Sequence, residues 1–340
     1  MPDIEEIRAY AREPRLLRGL SLTPGTPVAV EPLGNGEYNC NYLLTVQGRT
    51  EKMVLRVNLA SQMHLADQIG YEYRALEALV PSGRTPHPLY LDGSRDLVPY
   101  GVLVMEWLPG RALDYRTDMA EAAAILADIH STPVPERCPL LRPEEPLRAM
   151  YDECRAMSQV YLRWENAAPS TAARIERMLE RASRLPLASR PDGPPCIINT
   201  ELNSGNFLIH PGRSSLVDWE KPLLGEAAQD LGHVLAPTTT FWKTDVLLTP
   251  EEMRSFFRRY CSCAAGVDAA DVGRRLPLYL WLTCLRGITW CSMAMVEYST
   301  PGREVRNEDT YRKLFAYLED GFLDFVEKDF MCEDNVEFVG

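Results

Sequence analysis

The chain has 340 residues, 46% of them hydrophobic and 25% charged, so it can bury a large core as one two-lobed unit or two domains. Its 48 acidic and 36 basic residues give a formal charge of -12, which argues against a nucleic-acid-binding surface and is compatible with a cationic small substrate or with plain solubility. Nine cysteines without zinc spacing fit reduced thiols, the acidic start M-P-D-I-E-E-I-R lacks a signal core, and the apolar run from Leu276 to Val296 is broken by Pro277 and Arg286; together these predict a cytoplasmic protein with no membrane span.

In chain order, residues 3–12 form a short polar helix. Two alternating runs, 27–33 and 38–46, flank Gly34-Asn35-Gly36-Glu37 and read as a hairpin, and a third strand follows at 53–58. A helix pattern covers 62–79, with Leu65, Ile69, Leu76 and Leu79 on its apolar side and Glu72 within it. Residues 97–107 give a further strand or strand pair, broken by Leu108-Pro109-Gly110. Beyond this, helices dominate: 119–130, 146–166, 170–184, 226–235, 249–263, 271–298 and 307–329. Short strands interrupt them near 197–218. The expected fold class is α+β and bilobal: residues 1–107 as a small antiparallel sheet with one long helix, 108–340 as a mostly helical lobe, joined near 108–112. The cleft between such lobes is the default ligand site.

The chemistry concentrates in I-I-N-T-E-L-N-S-G-N-F-L-I-H, Ile197 to His210, and S-L-V-D-W-E, Ser215 to Glu220. Glu201, Asn206 and Asp218 flank two strand-like runs around a Pro-Gly turn. One carboxylate to orient a hydroxyl and two oxygen donors for magnesium is what phosphoryl transfer needs. The same residues could also simply cap turns, for which N-S-G-N is a good sequence. Arg56, between apolar neighbours in V-L-R-V-N, must meet solvent, a partner or a ligand; Glu72 and Glu77 are the candidate partners. Gly34 and Gly36 would let the hairpin turn approach a phosphate, or are merely a turn. Glu106 and Leu108 end the last strand, where backbone groups could meet an adenine edge. Asp230 reads as a structural carboxylate tying a helix to the catalytic loop, and His130, at a helix end, as a structural hydrogen-bonder. Trp242, Asp245 and Glu297 are candidate acceptor contacts, chosen for polarity next to aromatic residues.

At these residues the chain resembles the aminoglycoside phosphotransferase and choline/ethanolamine kinase family, small-molecule relatives of protein kinases. E-L-N-S-G-N-F-L-I and L-V-D-W-E are similar to its catalytic loop and magnesium-binding strand, G-E-A-A-Q-D-L-G-H to its G-D-P-x-x-D-L segment, Y-E-Y-R-A-L-E-A-L to its Glu-bearing helix, and L-A-D-I-H-S to its L-A-x-L-H-x motif. The resemblance implies a protein-kinase-like fold and ATP-dependent phosphorylation of a hydroxyl on a small acceptor: an aminoglycoside, an amino alcohol or a sugar-like molecule. It puts Glu201 at the catalytic-base position, Asn206 and Asp218 at the Mg2+ positions, Arg56 at the phosphate-binding position and Glu72 as its partner. Asn199 stands where the family has His, Glu201 where it has Asp, and Asn203-Ser204 replace His-Pro. Glu201 keeps the carboxylate but adds a methylene, and a misplacement of roughly 1 Å can cost about a hundredfold in rate. The alternative is therefore a weak or inactive pseudokinase that binds nucleotide or a metabolite as a regulatory module.

Overall fold

The computed structural model describes residues 2–36, 38–61, 63–300, 308–332 and 336–338. Its elements run α1 (Ile4–Tyr10), α2 (Pro14–Gly19), β1 (Val28–Asn35), β2 (Asn39–Val46), β3 (Lys52–Asn58), α3 (Gln68–Leu79), β4 (Pro88–Asp92), β5 (Gly101–Glu106), β6 (Arg111–Ala112), α4 (Met119–His130), α5 (Pro146–Leu162) and α6 (Pro169–Ala182). Then follow β7 (Cys196–Ile198), β8 (Phe207–Ile209), β9 (Ser215–Leu216), β10 (Leu223–Gly225), α7 (Ala227–Leu235), α8 (Pro237–Lys243), α9 (Pro250–Cys263), α10 (Ala269–Ser299), α11 (Glu308–Leu318) and α12 (Asp320–Asp329). The chain forms two compact units.

The first unit comprises Met1–Ala112, Thr132–Leu141 and Asn206–Leu223. Its main sheet is antiparallel, in the order β1-β2-β3-β5-β4. Strand alternation sorts β3 into two faces. Leu55 and Val57 join Ile7, Tyr10, Leu16 and Leu17 in one core, so α1 and α2 cover that face. Arg56 lies on the other, paired in register with Asn41 and Leu103. There α3 begins at Gln68, six residues after the expected start, because the Asp67 carboxylate caps it by accepting the Gly70 N–H. Position 62, like Glu37 of the hairpin turn, lies outside the described residues. A smaller sheet, β6-β8-β9, carries the Asn206 and Asp218 segments. Gly110, at φ +154°, lets the chain pass β8 closely: an added Cβ would lie 2.9 Å from Leu208 Cβ.

The second unit comprises Leu113–Ser131, Arg142–Gly205 and Leu224–Gly340. It is helical around α10, which packs on α5 and α7, and β7 pairs with β10, most of which lies here. The helix starts are written locally. Thr249 and Glu252 form a capping box with Pro250 between them at the first position of α9, and Asp268 accepts two N–H groups at the head of α10. The expected helix over 307–329 is two helices that part at Glu319, whose backbone is extended; position 307 is outside the described residues. Among the described residues no helix is long and apolar enough to cross a membrane.

Candidate active site

In the first unit three charged side chains meet. Arg56 donates Nη1–H to Glu72 Oε1 at 2.5 Å and to Asp218 Oδ1 at 3.2 Å, and its Nε–H to Asn41 Oδ1 at 3.0 Å. Of the two candidate partners for Arg56, the phase of α3 selects Glu72. Arg56 is 7% exposed and Glu72 1%. Burial works against the guanidinium charge, yet Glu72, then Asp218 and Glu220, hold its pKa above the ordinary value. Burial pushes the Glu72 carboxyl up to about 7, aided by the Asp218 charge and opposed by Arg56. The two partners pull opposite ways. Glu72 has given up more hydration, and its Oε2 has no partner among the described residues, so the upward shift is the one that follows from its surroundings.

Asp218 is held by its neighbours as much as by Arg56. Its φ is +63°, a left-handed turn that Asp tolerates better than most residues. The next indole is buried, with Trp219 Nε1–H donating to Leu216 C=O at 3.0 Å. Gln68 donates to Glu220 C=O, Asn39 to Glu220 Oε2 (each 2.6 Å) and Tyr71 O–H to Pro222 C=O at 2.5 Å. Val217 N–H donates to Asn206 C=O at 2.8 Å, which ties the two oxygen-donor segments together. Glu220 is a residue the sequence reading passed over: one of its carboxylate oxygens lies within 4.8 Å of one from Asp218. The signal was present in D-W-E, where a buried aromatic separates two acids. An amide and two carboxylates are hard oxygen donors, and this donor set fits magnesium.

In the second unit the loop from Asn199 to Leu202 hangs largely on one carboxylate. Asp230 accepts Asn199 N–H at 2.8 Å and Thr200 N–H at 2.9 Å. His130 Nε2 lies 3.3 Å from the same carboxylate, and its Nδ1 is 3.0 Å from the Tyr260 hydroxyl. Glu201 N–H donates to Asn199 Oδ1, and Leu202 N–H to His233 Nδ1. Thr200 takes φ +71°, an unusual conformation for a β-branched residue. Glu201 follows it, half-buried. Asp230 and His130 thus have the structural roles expected of them.

Other expected contacts are arranged differently. Gly36 spends its N–H on Asn39 C=O at 2.8 Å, closing the turn, so that N–H is not offered to a phosphate. At Gly34 an added Cβ would meet nothing within 4 Å. Glu106 N–H is bonded to His87 C=O and Trp107 N–H to Lys52 C=O, both within the sheet, while the Glu106 side chain pairs with Arg213 at 2.8 Å. The backbone donors at this strand end are therefore committed before the buried Leu108 is reached. Trp242 packs edge-on against Trp290 and Tyr317. Asp245 is a surface group paired with Lys313 at 2.8 Å, and Glu297 is half-buried near the end of α10.

A protein-family model described as the phosphotransferase enzyme family matches residues 29–272. A sequence search of curated proteins finds no significant match. Among solved structures, a choline/ethanolamine kinase family protein from Mesorhizobium loti aligns with TM-score 0.59 at 18% identity, covering 94% of this chain and 96% of its own. Spectinomycin phosphotransferase, crystallised with ADP and spectinomycin, aligns with TM-score 0.59 at 13% identity over 88% and 91%. Plasmodium vivax ethanolamine kinase aligns with TM-score 0.59 at 15% identity over 90% and 86%. The fold is thus the α+β fold of protein-kinase-like small-molecule kinases, and the chain belongs to the phosphotransferase enzyme family.

Proposed function

We propose that the protein is a cytoplasmic, ATP-dependent phosphotransferase that phosphorylates a hydroxyl group of a small molecule and acts on neither nucleic acid nor membrane. The observation that carries this reading is the buried Arg56 bridging Glu72 and Asp218. A strand cation fixed by a helix carboxylate and turned toward a metal-type carboxylate suits the phosphates of a nucleotide. Structural relatives crystallised with ADP, AMP or ATP support the nucleotide assignment.

In this reading Asn206, Asp218 and Glu220 would hold Mg2+, which when bound supplies positive charge to the phosphate oxygens. Arg56 binds phosphate oxygens while Glu72 keeps its side chain from swinging. Glu201 accepts the proton of the acceptor hydroxyl. A weak base suffices if proton loss comes late in transfer. Asp230 fixes the backbone just before Glu201 and so sets where its longer side chain reaches. Gly34 leaves room beside the hairpin for a nucleotide. Trp242, Asp245 and Glu297 are proposed to flank the acceptor region, with Trp242 the best placed because it is half-buried among aromatics.

The test is a thermal-shift titration with ATP and magnesium, followed by a mass-gain screen over aminoglycosides, amino alcohols, sugars and hydroxy acids. Nucleotide stabilisation together with a phosphoryl mass gain supports the proposal. Stabilisation without turnover on any acceptor would favour the pseudokinase alternative, for which the Asn-Thr-Glu loop is the motive. Absence of both would contradict the nucleotide assignment itself.

A further inference from the structure

On α10, Arg286 is a charged residue within a largely buried helix. Its Nε–H and one Nη2–H donate to the two oxygens of Glu153 on α5, each at 3.1 Å. This pair uses one edge of the guanidinium and both Glu153 oxygens. Arg has five N–H donors arranged as two forks. Among the described residues the second fork, Nη1 with the outer Nη2 hydrogen, has no partner. The Arg286 side chain remains 23% exposed. Burial there opposes its charge, and Glu153 followed by Glu201 outweigh this and raise its pKa, so Glu201 lies within electrostatic reach. One helical turn on, Trp290 is 37% exposed and braced edge-on by Trp242 at 5.3 Å between ring centroids. Positions i and i+4 share a helix face, so cation and indole form one surface.

From this arrangement we infer that the acceptor carries a carboxylate, read by the open fork of Arg286, with its carbon skeleton against Trp290 and its hydroxyl toward Glu201. A rigid planar fork matches a two-oxygen anion, and Glu153 pre-orients it at no cost to the ligand. Each Glu153 oxygen already accepts one Arg286 N–H, so the pair is anchored on that side and the guanidinium presents its other edge. The inference rests on the phosphotransferase reading and names its substrate class. In the reaction the acceptor hydroxyl oxygen bonds to the γ-phosphorus and its proton passes to Glu201. The bond from γ-phosphorus to the β–γ bridging oxygen breaks, and ADP leaves with the electron pair.

The experiment offers ATP, magnesium and paired acceptors: glycerate, 4-hydroxybutyrate and mandelate beside their amides, together with choline, ethanolamine and kanamycin. The expected result is a phosphoryl mass gain on at least one acid, with kcat/KM at least about a hundredfold lower for its amide, which offers the fork one neutral oxygen in place of two charged ones. Arg286→Gln should lower kcat/KM for the acid by about a hundredfold, mainly through KM, and Arg286→Lys by less. Both variants should keep the wild-type melting temperature and ATP stabilisation, which separates lost recognition from lost folding. Mass gain on cationic or neutral acceptors only, or acid turnover undiminished in Arg286→Gln, overturns the acidic acceptor but leaves the phosphotransferase reading standing. Neither ATP stabilisation nor mass gain on any acceptor overturns both.

Discussion

Two left-handed residues, Asp218 and Thr200, mark the two corners of the proposed chemistry, and they are held by different means. Asp218 is fixed by side chains: the Arg56 ion pair and the bonds that clamp Trp219, Glu220 and Pro222. Thr200 is fixed through its backbone, since Asp230 accepts its N–H and that of Asn199. The conformation costs about 1–3 kcal/mol for a residue like Thr and persists only where its surroundings over-determine it. A corner set by charges depends on each residue in it. A corner set by backbone bonds to one remote carboxylate depends less on the side chains beside it, since Asp230 holds the N–H groups of Asn199 and Thr200 whatever those residues are.

The contrast can be broken by separating stability from turnover. Asp230→Ala strips the acceptor from two buried N–H groups and leaves His130 facing a void; it should lower unfolding free energy by about 3–5 kcal/mol in denaturant melts and abolish turnover. Asp218→Ala should also abolish turnover, yet Arg56 keeps Glu72, so stability should fall by about 1 kcal/mol or less. Equal destabilisation by the two variants would erase the distinction. Arg56→Met leaves a carboxylate buried without its cation and should cost about 3–5 kcal/mol at pH 8.

That last effect has a pH dependence whose sign follows from Glu72. Its carboxyl rises from the ordinary 4.5 to about 7 in the folded, magnesium-free protein. The folded state then binds the proton more tightly than the unfolded chain. The contribution of Glu72 to stability is full below about pH 4.5 and declines as pH rises through about 7. Melts in EDTA from pH 5 to 8 should show this decline, and Glu72→Gln should flatten it; an unchanged slope would contradict the assignment. A small effect of opposite sign belongs to Thr200→Asn. Asn enters the left-handed region more easily, so this change should stabilise by about 1 kcal/mol, read as a Tm rise of a few degrees or less.

The sheet and the 119–130 helix were legible because alternation, helical periodicity and turn residues are local signals. What was missed lacked such a signal. In α8 a T-T-T run is helical because Pro237 starts it and burial overrides propensity, Thr240 being fully buried. The short α2 and β4 gave too few residues for a period to emerge. Glu220 was visible as a letter, but its place near Asp218 depends on Trp219 turning inward. Arg286 read only as a break in an apolar run, since its partner Glu153 is 133 residues away. The Gly36 and Glu106 N–H groups are already bonded to the Asn39 and His87 carbonyls, a use that the letters of the sequence do not announce.

The central claim is that a glutamate, one methylene longer than the family's aspartate, serves as the base. The most direct test compares Glu201→Gln with wild type on an acceptor that wild type phosphorylates, measuring kcat beside stabilisation by ATP and magnesium. The account predicts a loss of at least about a hundredfold in kcat with nucleotide stabilisation nearly unchanged. Turnover equal to wild type in the glutamine variant would contradict it.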